Sequence, residues 1–400
     1  MKTGKNGWLN RNIFAMGLTS FFSDFGHEMA TAILPAFVVS IGGSAASLGL
    51  IEGVADASSS GMKIFSGWYS DYVGKRKPFA MIGYFLTAIG VGSIAFAISW
   101  PFVLLSRAVA WMGRGIRNAP RDALLVESTQ PKYHGRVFGF HRSMDTVGAV
   151  VGPALALVLV RIMAPRSIFA IAFIPSILAF VTVALFVKEM RKGGGERTNF
   201  LISVKKLPRN FRFFLIAVGI FGLGNFADSL FILRSTDLLS PVNGAIVAAS
   251  LAILLYTIHN VFYAAISFPI GVLADRVGKK RLLAFGYLLT GIAAAGFIFN
   301  TGNLAYLGIF FVLAGIAIGI TDALEGAVAA DMLPENLRGT GYGTLATVNG
   351  IGDFASSSVV GLLWTAISPT VGFGYGTGLC VLGAGLLFAF RGQGRLSNKP

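Results

Sequence analysis

The chain has 400 residues, of which 54% are hydrophobic and 13% charged, and a mean hydropathy of +0.70; soluble domains carry about 25% charged residues, so a soluble globular class is excluded. The formal net charge of +15 would suggest nucleic acid in a soluble protein, but the basic residues fall in alternate connections between apolar runs, so they mark one side of a membrane and a nucleic-acid partner is excluded. At about 20 apolar residues per span plus short loops, this length holds roughly twelve spans, all helical because the Leu, Ile, Phe, Ala and Gly runs lack the alternation of a barrel.

In chain order the spans read as 12–40, 45–69, 78–98, 101–126, 137–162 and 166–188, then 211–234, 243–272, 282–300, 303–331, 340–366 and 371–390. The expected architecture is an all-α polytopic membrane protein with twelve transmembrane helices in two six-helix halves, residues 1–190 and 211–400. The segment 191–210 is a charged linker with a Gly triplet just inside its start. Within it Phe200, Leu201 and Val204 could lie on the membrane surface. Lys2, Lys5 and Arg11, the Lys75–Lys77 cluster, Lys132 and Arg136, the linker, the Lys279–Arg281 cluster, Arg338 and the Arg391–Lys399 tail share one side if the spans alternate. The opposite connections hold only Arg161, Arg166 and Arg234. Both termini are then expected in the cytoplasm, in a multi-pass cell (inner) membrane protein. Cys380 has no cysteine to pair with. The basic N-terminus lacks a small-residue cleavage site, so span 1 is expected to be retained.

Charge inside a span is costly, about 2.5–3.5 kcal/mol at the bilayer centre, and should face protein or a wet cavity. Span 1 carries Asp24, His27 and Glu28 at i, i+3 and i+4, one helical face, with Asp24 about 20 Å from Arg11 along the helix axis, near mid-depth. Span 2 carries Glu52 and Asp56 at i, i+4. The connection that follows reads Gly67, Asp71, Gly74, Lys75 and Arg76, and returns at a constant offset of 204 residues as Gly271, Asp275, Gly278 and Lys279, with Arg276 added. The same offset carries Asp24 onto Asp228. Two copies in register make the chain two versions of one unit.

Span 4 bears Arg107, Arg114, Arg117 and Arg121 on one stripe with Asp122 beside it, and span 5 opens with His141, Arg142 and Asp145. These arginines can neutralise the carboxylates of spans 1 and 2. A closed set of ion pairs that only fixes packing is the plainer reading of any one pair, yet buried pairs seldom outdo apolar packing, so this many point to a cavity. Glycines 139, 148 and 152 followed by Pro153 put small residues along span 5 and add a kink. The second half is thinner: Asn225 and Asp228, His259 and Asn260, Asp322 and Glu325, Asn349 and Asp353. Asp331 with Arg338 reads as loop structure, and a lone His259 is more often a satisfied interior histidine than a ligand.

The doubled G-x-x-x-D-x-x-G-K/R-K/R pattern resembles the signature loop of the major facilitator superfamily, although Tyr72 stands where that family usually has a basic residue. The resemblance covers the whole chain and implies that Asp71 and Asp275 belong to a gate latch between two parallel repeats, with the transport site between them at mid-membrane. The run Gly139–Pro153 resembles the family's antiporter motif, with Ala156 and Leu157 in place of its closing Gly-Gly. The stretches around Asp24, Glu52, Arg117 and Asp145 resemble bacterial multidrug or nickel-resistance exporters. The resemblance implies a secondary active transporter, not an enzyme, whose partners are a small-molecule substrate, protons and the bilayer.

The expected function is proton-coupled export of a small molecule by a monomer, with Asp24, Asp56 or Asp228 carrying the proton and Arg114, Arg117 and Arg142 as alternative partners. Two alternatives stand beside it. One is a divalent-metal exporter using Asp24, His27 and Glu28 with Asp228 or His259; the other is an organic-anion or siderophore uptake permease using the arginine stripe. A transport-dead receptor would need a large soluble loop or tail, and the longest here is the linker. No phosphate-binding loop, zinc-site spacing or Ser/His/Asp arrangement occurs, so no cofactor or resident metal is expected.

Overall fold

The computed structural model describes residues 8–189, 206–299, 301–334 and 337–389, without the side chains of Trp68, Asp71, Phe268, Asp275 and Arg338. The first half comprises α1 (Arg11–Ser40), α2 (Ala45–Val73), α3 (Lys77–Ser93), α4 (Trp100–Glu127), α5 (His134–Leu159) and α6 (Pro165–Phe186). The second comprises α7 (Arg209–Gly222), α8 (Asp228–Asn243), α9 (Ala245–Val277), α10 (Lys279–Gly296), α11 (Leu304–Met332), α12 (Arg338–Ala366) and α13 (Pro369–Ala389). The linker's surface-helix residues Phe200, Leu201 and Val204, the basic N-terminal residues before Trp8, and Arg391, Arg395 and Lys399 lie outside the described residues.

Local chemistry sets the ends. Asn10 accepts the Ile13 amide at 3.0 Å to start α1, and Ser44 and Ser47 cap α2 reciprocally. α2 stops at Gly74 in the left-handed region, φ 67°, and α9 stops at its repeat partner Gly278, φ 101°, where a side chain would strain the backbone. Among the described residues six helices are apolar and long enough to cross a membrane by composition alone, α3, α6 and α13 among them; α1, α2 and α4, each with several ionisable residues, fall outside that set. Large side chains such as Phe96, Ile162 and Val242 point outward, as a lipid-facing surface requires.

One expectation is corrected. The seventh span does not run unbroken over 211–234: the helix stops at Gly222, leaves Leu223–Ala227 non-helical, and resumes at Asp228 to run on to Asn243. Gly222, Gly224 and Asn225 favour the break. Two serines of α12 stitch it, Ser357 Oγ accepting the Ala227 amide at 3.0 Å and Ser356 Oγ donating to the Asn225 carbonyl at 2.9 Å. Non-helical backbone at this depth must find such partners.

The two halves share a core at one face and not at the other. Toward the connections after α1 and α8, a single cluster joins Met29, Phe37 and Leu48 of the first half to Phe226, Phe231 and Tyr256 of the second. Toward the termini each half keeps its own, around Ile13, Tyr84 and Leu125 in one and Phe214, Tyr287 and Leu324 in the other. The joined face is held by small residues: Gly49 and Gly53 of α2 lie against Ser357 and Phe354 of α12, and Gly361 lies against Ala45. The Ala46 amide adds a hydrogen bond to Thr365 at 2.9 Å. The space between the halves is therefore closed away from the termini and widens toward them.

At the terminal face the Glu189 carboxylate accepts the backbone amides of Arg76 and Lys77, both at 3.0 Å, and so caps α3 from the first residues after α6. We expect Glu189→Ala to cost about 1 kcal/mol, as loss of an N-cap does. A lowered unfolding midpoint in detergent would register it, and an unchanged midpoint would rule the cap out as a stabilising contact.

Candidate functional site

Three adjoining cavities of about 280, 380 and 180 Å³ share Asp228, Ile318 and Asp322 in their walls, and those of 380 and 180 Å³ lie between the halves. The middle one is lined from the first half by His27, Glu28, Glu52, Asp56, Lys63, Arg107, Trp111 and Arg114. Asp24, Arg142, Asp145 and His259 line the one beside it. The third lies within the second half, where Asp322, Glu325 and Asp353 face Phe221, Phe226 and Phe231.

The first-half wall is built on α1, α2, α4 and α5. Glu52 takes the Nε and Nη2 of Arg107, each at 3.2 Å, and Arg107 Nη2 also donates to Thr31 at 2.9 Å; Glu52 is 3% exposed and Arg107 1%. Trp111 sits between charges: the His27 ring is 4.1 Å from it, and the guanidinium carbons of Arg107 and Arg114 lie 4.7 and 4.9 Å from its ring centre. Arg114 reaches Asp24 at 3.8 Å. Asp145 accepts from Ser20 at 2.6 Å and lies 3.5 Å from Arg142. Among the described residues Asp56 has neither a hydrogen bond nor an ion pair.

Two side chains cross between the halves. Glu28 accepts the Tyr256 hydroxyl at 2.6 Å, and Arg142 reaches Asp322 at 2.9 Å and the Tyr263 hydroxyl, which itself donates to Asp322 at 2.8 Å. Asp228, the first residue of α8, lies 3.8 Å from Nε2 of His259, whose ring stacks on Tyr256. Glu325 accepts from Tyr287 at 3.0 Å and from Asn349. No group of three metal-ligating side chains converges among the described residues.

The structure thus brings Asp24, His27, Glu28, Glu52, Asp56, Arg114, Arg142, Asp145, Asp228 and His259 around one space. Arg117 stands apart: it is buried behind the wall over Tyr84, 4.2 Å from its ring centre. Of the span 5 pattern, Gly148 and Gly152 lie where a Cβ would meet the α1 backbone at Phe21 and Phe25, Pro153 sits inside α5, and Gly139 faces open space. At the repeated loops, Arg76 is 3.7 Å from Glu127 at the end of α4, and Lys279 is 2.9 Å from Asp331 at the end of α11, so Asp331 pairs with the second loop. Gly67 packs on Ala119, Gly271 meets open space, and Lys75 and Arg276 are exposed.

Sequence reasoning named Asp322, Glu325 and Asp353 without placing them at the site, and passed over Lys63, Trp111, Tyr256 and Tyr263. Some signal existed: Lys63 is seven residues after Asp56, and Trp111 lies on the Arg107–Arg114 stripe, both at helical spacing.

The sequence profile described as Major Facilitator Superfamily matches residues 16–241 and 213–400. An uncharacterized MFS-type transporter of Methanocaldococcus jannaschii, MJ1317, is 34% identical over 384 residues, covering 96% of this chain and 95% of its own. Multidrug resistance protein MdtH of Aeromonas hydrophila is 33% identical over 119 residues, 30% of each chain. Among solved structures, the nucleoside transporter NupG superposes with a TM-score of 0.80 over 95% of this chain and 99% of its own, at 13% identity, a likeness of fold alone.

Proposed function

This chain belongs to the major facilitator superfamily, and from that premise we propose that it is a proton-coupled transporter that exports a small molecule by alternating access. Residues 1–190 and 211–400 are its moving halves and 191–210 their tether. The observation that carries this reading is a single space, closed away from the termini, in which carboxylates of both halves face a small set of arginines. Protonating Asp24 discharges it and frees Arg114, 3.8 Å away, for another partner. The charge balance across the cavity then changes, and with it the preferred facing state.

Export is favoured by the close approach of Gly148 and Gly152 to α1 and by the partial likeness to MdtH. In this reading the protein works as a monomer in the cell (inner) membrane, with both termini in the cytoplasm and the cavity open to that side. The metal alternative loses ground because no three ligating side chains converge among the described residues. The organic-anion alternative fits the arginines but not the carboxylates of the second half.

The test is purified protein in liposomes loaded with a pH-sensitive dye and challenged in turn with organic cations, zwitterions, organic anions and divalent metals. Proton movement driven by one class, reduced at least tenfold in Asp24→Asn, is the expected result. Substrate flux with no proton movement would sink the coupling assignment.

A further inference from the structure

The two walls of the cavity differ in charge: among the described lining residues every Lys and Arg comes from the first half. Along α4, Arg107, Trp111, Arg114 and Asn118 recur at spacings of four, three and four, which makes one helical face, and all four line the middle cavity. Arg and Trp are donors with no acceptor. Arg107 gives two of its nitrogens to Glu52 and Thr31, yet its Nη1 is buried with no partner among the described residues, as are Trp111 Nε1 and His27 Nδ1. Buried donors are nearly always satisfied in native proteins, so Arg107 Nη1 and Trp111 Nε1, donors in every form, mark a place on this wall where something else accepts.

The facing wall carries its charge as carboxylates, although Asn260 Nδ2 there is an open buried donor as well. Asp228 of α8, Asp322 and Glu325 of α11 and Asp353 of α12 line the same three cavities, and among the described lining residues the second half contributes no Lys or Arg. Asp322 and Glu325 have partners, but Asp353 has neither a hydrogen bond nor an ion pair to a described side chain, and Asp228 has only His259 at 3.8 Å. Ser229 Oγ, beside Asp228, is buried and open as well. The acids of the first-half wall are mostly engaged: Glu52 by Arg107, Asp24 by Arg114, Glu28 by Tyr256. Lys63 lies within electrostatic reach of Asp322, Asp353 and Asp56 alike, so it is shared between the two walls.

We propose that this cavity takes a zwitterion, its anionic head against Arg107 Nη1, the Trp111 indole N–H and Arg114, and its ammonium group against Asp228 and Asp353. A molecule with one charge satisfies one wall and leaves the other open; a molecule with both satisfies both. The reading deepens the transporter assignment, on which it rests only for the claim that the bound molecule is cargo.

Matched ligands test it. L-phenylalanine carries both charges, phenethylamine lacks the carboxylate, and 3-phenylpropionate lacks the amine; alanine and tryptophan with their amine and acid counterparts vary the size. Binding to purified full-length protein in detergent, by calorimetry, should favour the zwitterion of at least one trio tenfold or more over both relatives. Trp111→Phe keeps the ring and removes only the donor. It should weaken that zwitterion and its acid several-fold and leave the amine within twofold, while Asp353→Asn should do the reverse. The proposal is overturned if amines bind as tightly as zwitterions, if acids do, or if no zwitterion of the panel binds. Because binding needs no gradient, proton-driven flux of a singly charged class would overturn this inference and leave the transporter reading intact. Zwitterion binding without flux would do the opposite.

Discussion

Replacing Glu52 with Leu should lower the unfolding free energy by about 3–5 kcal/mol, the cost of stranding a buried charge. Arg107 is 1% exposed, and two of its nitrogens are committed to Glu52 at 3.2 Å. With the carboxylate gone, the guanidinium keeps its charge, because no nearby condition deprotonates an arginine, and it keeps only Thr31 and the Trp111 face as partners. Arg107→Met should cost a similar amount by stranding Glu52 instead. The double variant Glu52→Leu/Arg107→Met should recover most of the loss, because an apolar pair of similar volume commonly matches a buried ion pair. Equilibrium unfolding of the three variants in mixed micelles measures this. If the double variant is as unstable as the sum of the singles, the pair is not an isolated two-body interaction, and the cost lies in the wider cluster with Trp111 and His27.

The second large effect falls on Arg142. Its guanidinium leaves α5, crosses the cavity, and meets Asp322 and the Tyr263 hydroxyl of the other half, nearer the termini than the shared core. A contact that spans the halves biases the equilibrium between facing states by whatever it contributes in one state and not in the other, for ordinary couplings about 1–3 kcal/mol, or roughly 5- to 150-fold. Arg142→Gln should therefore reduce gradient-driven flux by tens of fold. Spin labels on the terminal ends of α4 and α11 should show the distance between halves shifting toward longer values. Exchanging the charges, Arg142→Asp with Asp322→Arg, should return part of the flux, short of full recovery because Asp145 would then face a second carboxylate at 142. A swap no better than the single variants would mean that Arg142 acts through Asp145 alone.

Much of the frame was legible because it depends on period and repetition. The 204-residue offset paired the loop glycines, and Gly74 and Gly278 both take positive φ. The offset extends further: Glu127 falls on Asp331, and these two carboxylates pair with Arg76 and Lys279 at the two repeated loops. Helical spacing collected Asp24, His27 and Glu28 on one face, and the structure turns that face toward Trp111, Arg114 and Tyr256.

What could not be read depends on distance along the chain. Tyr256 and Tyr263 become site residues only because α9 crosses α1 and α5, and an isolated tyrosine in an apolar run carries no mark of that. Glu189 looked like one more charge at the start of a linker; its role depends on Arg76 and Lys77 folding back to it from 113 and 112 residues away. Arg117 belongs to the stripe by spacing, yet its position three residues past Arg114 rotates it toward Tyr84 and out of the cavity.

The interrupted seventh span has a consequence for biosynthesis. At 14 and 16 residues, α7 and α8 rise about 21 and 24 Å, and neither reaches across a hydrocarbon layer of about 30 Å. The peptide groups between them are met by Ser356 and Ser357, 130 residues further along and so translated long after the segment they complete. The first half can close on itself as it leaves the ribosome, since α1 finds its packing partners in α5 and α6. The second must keep an incomplete span waiting until α12 arrives, so truncation anywhere before Ser356 leaves the seventh span without the serine hydroxyls that meet its open peptide groups.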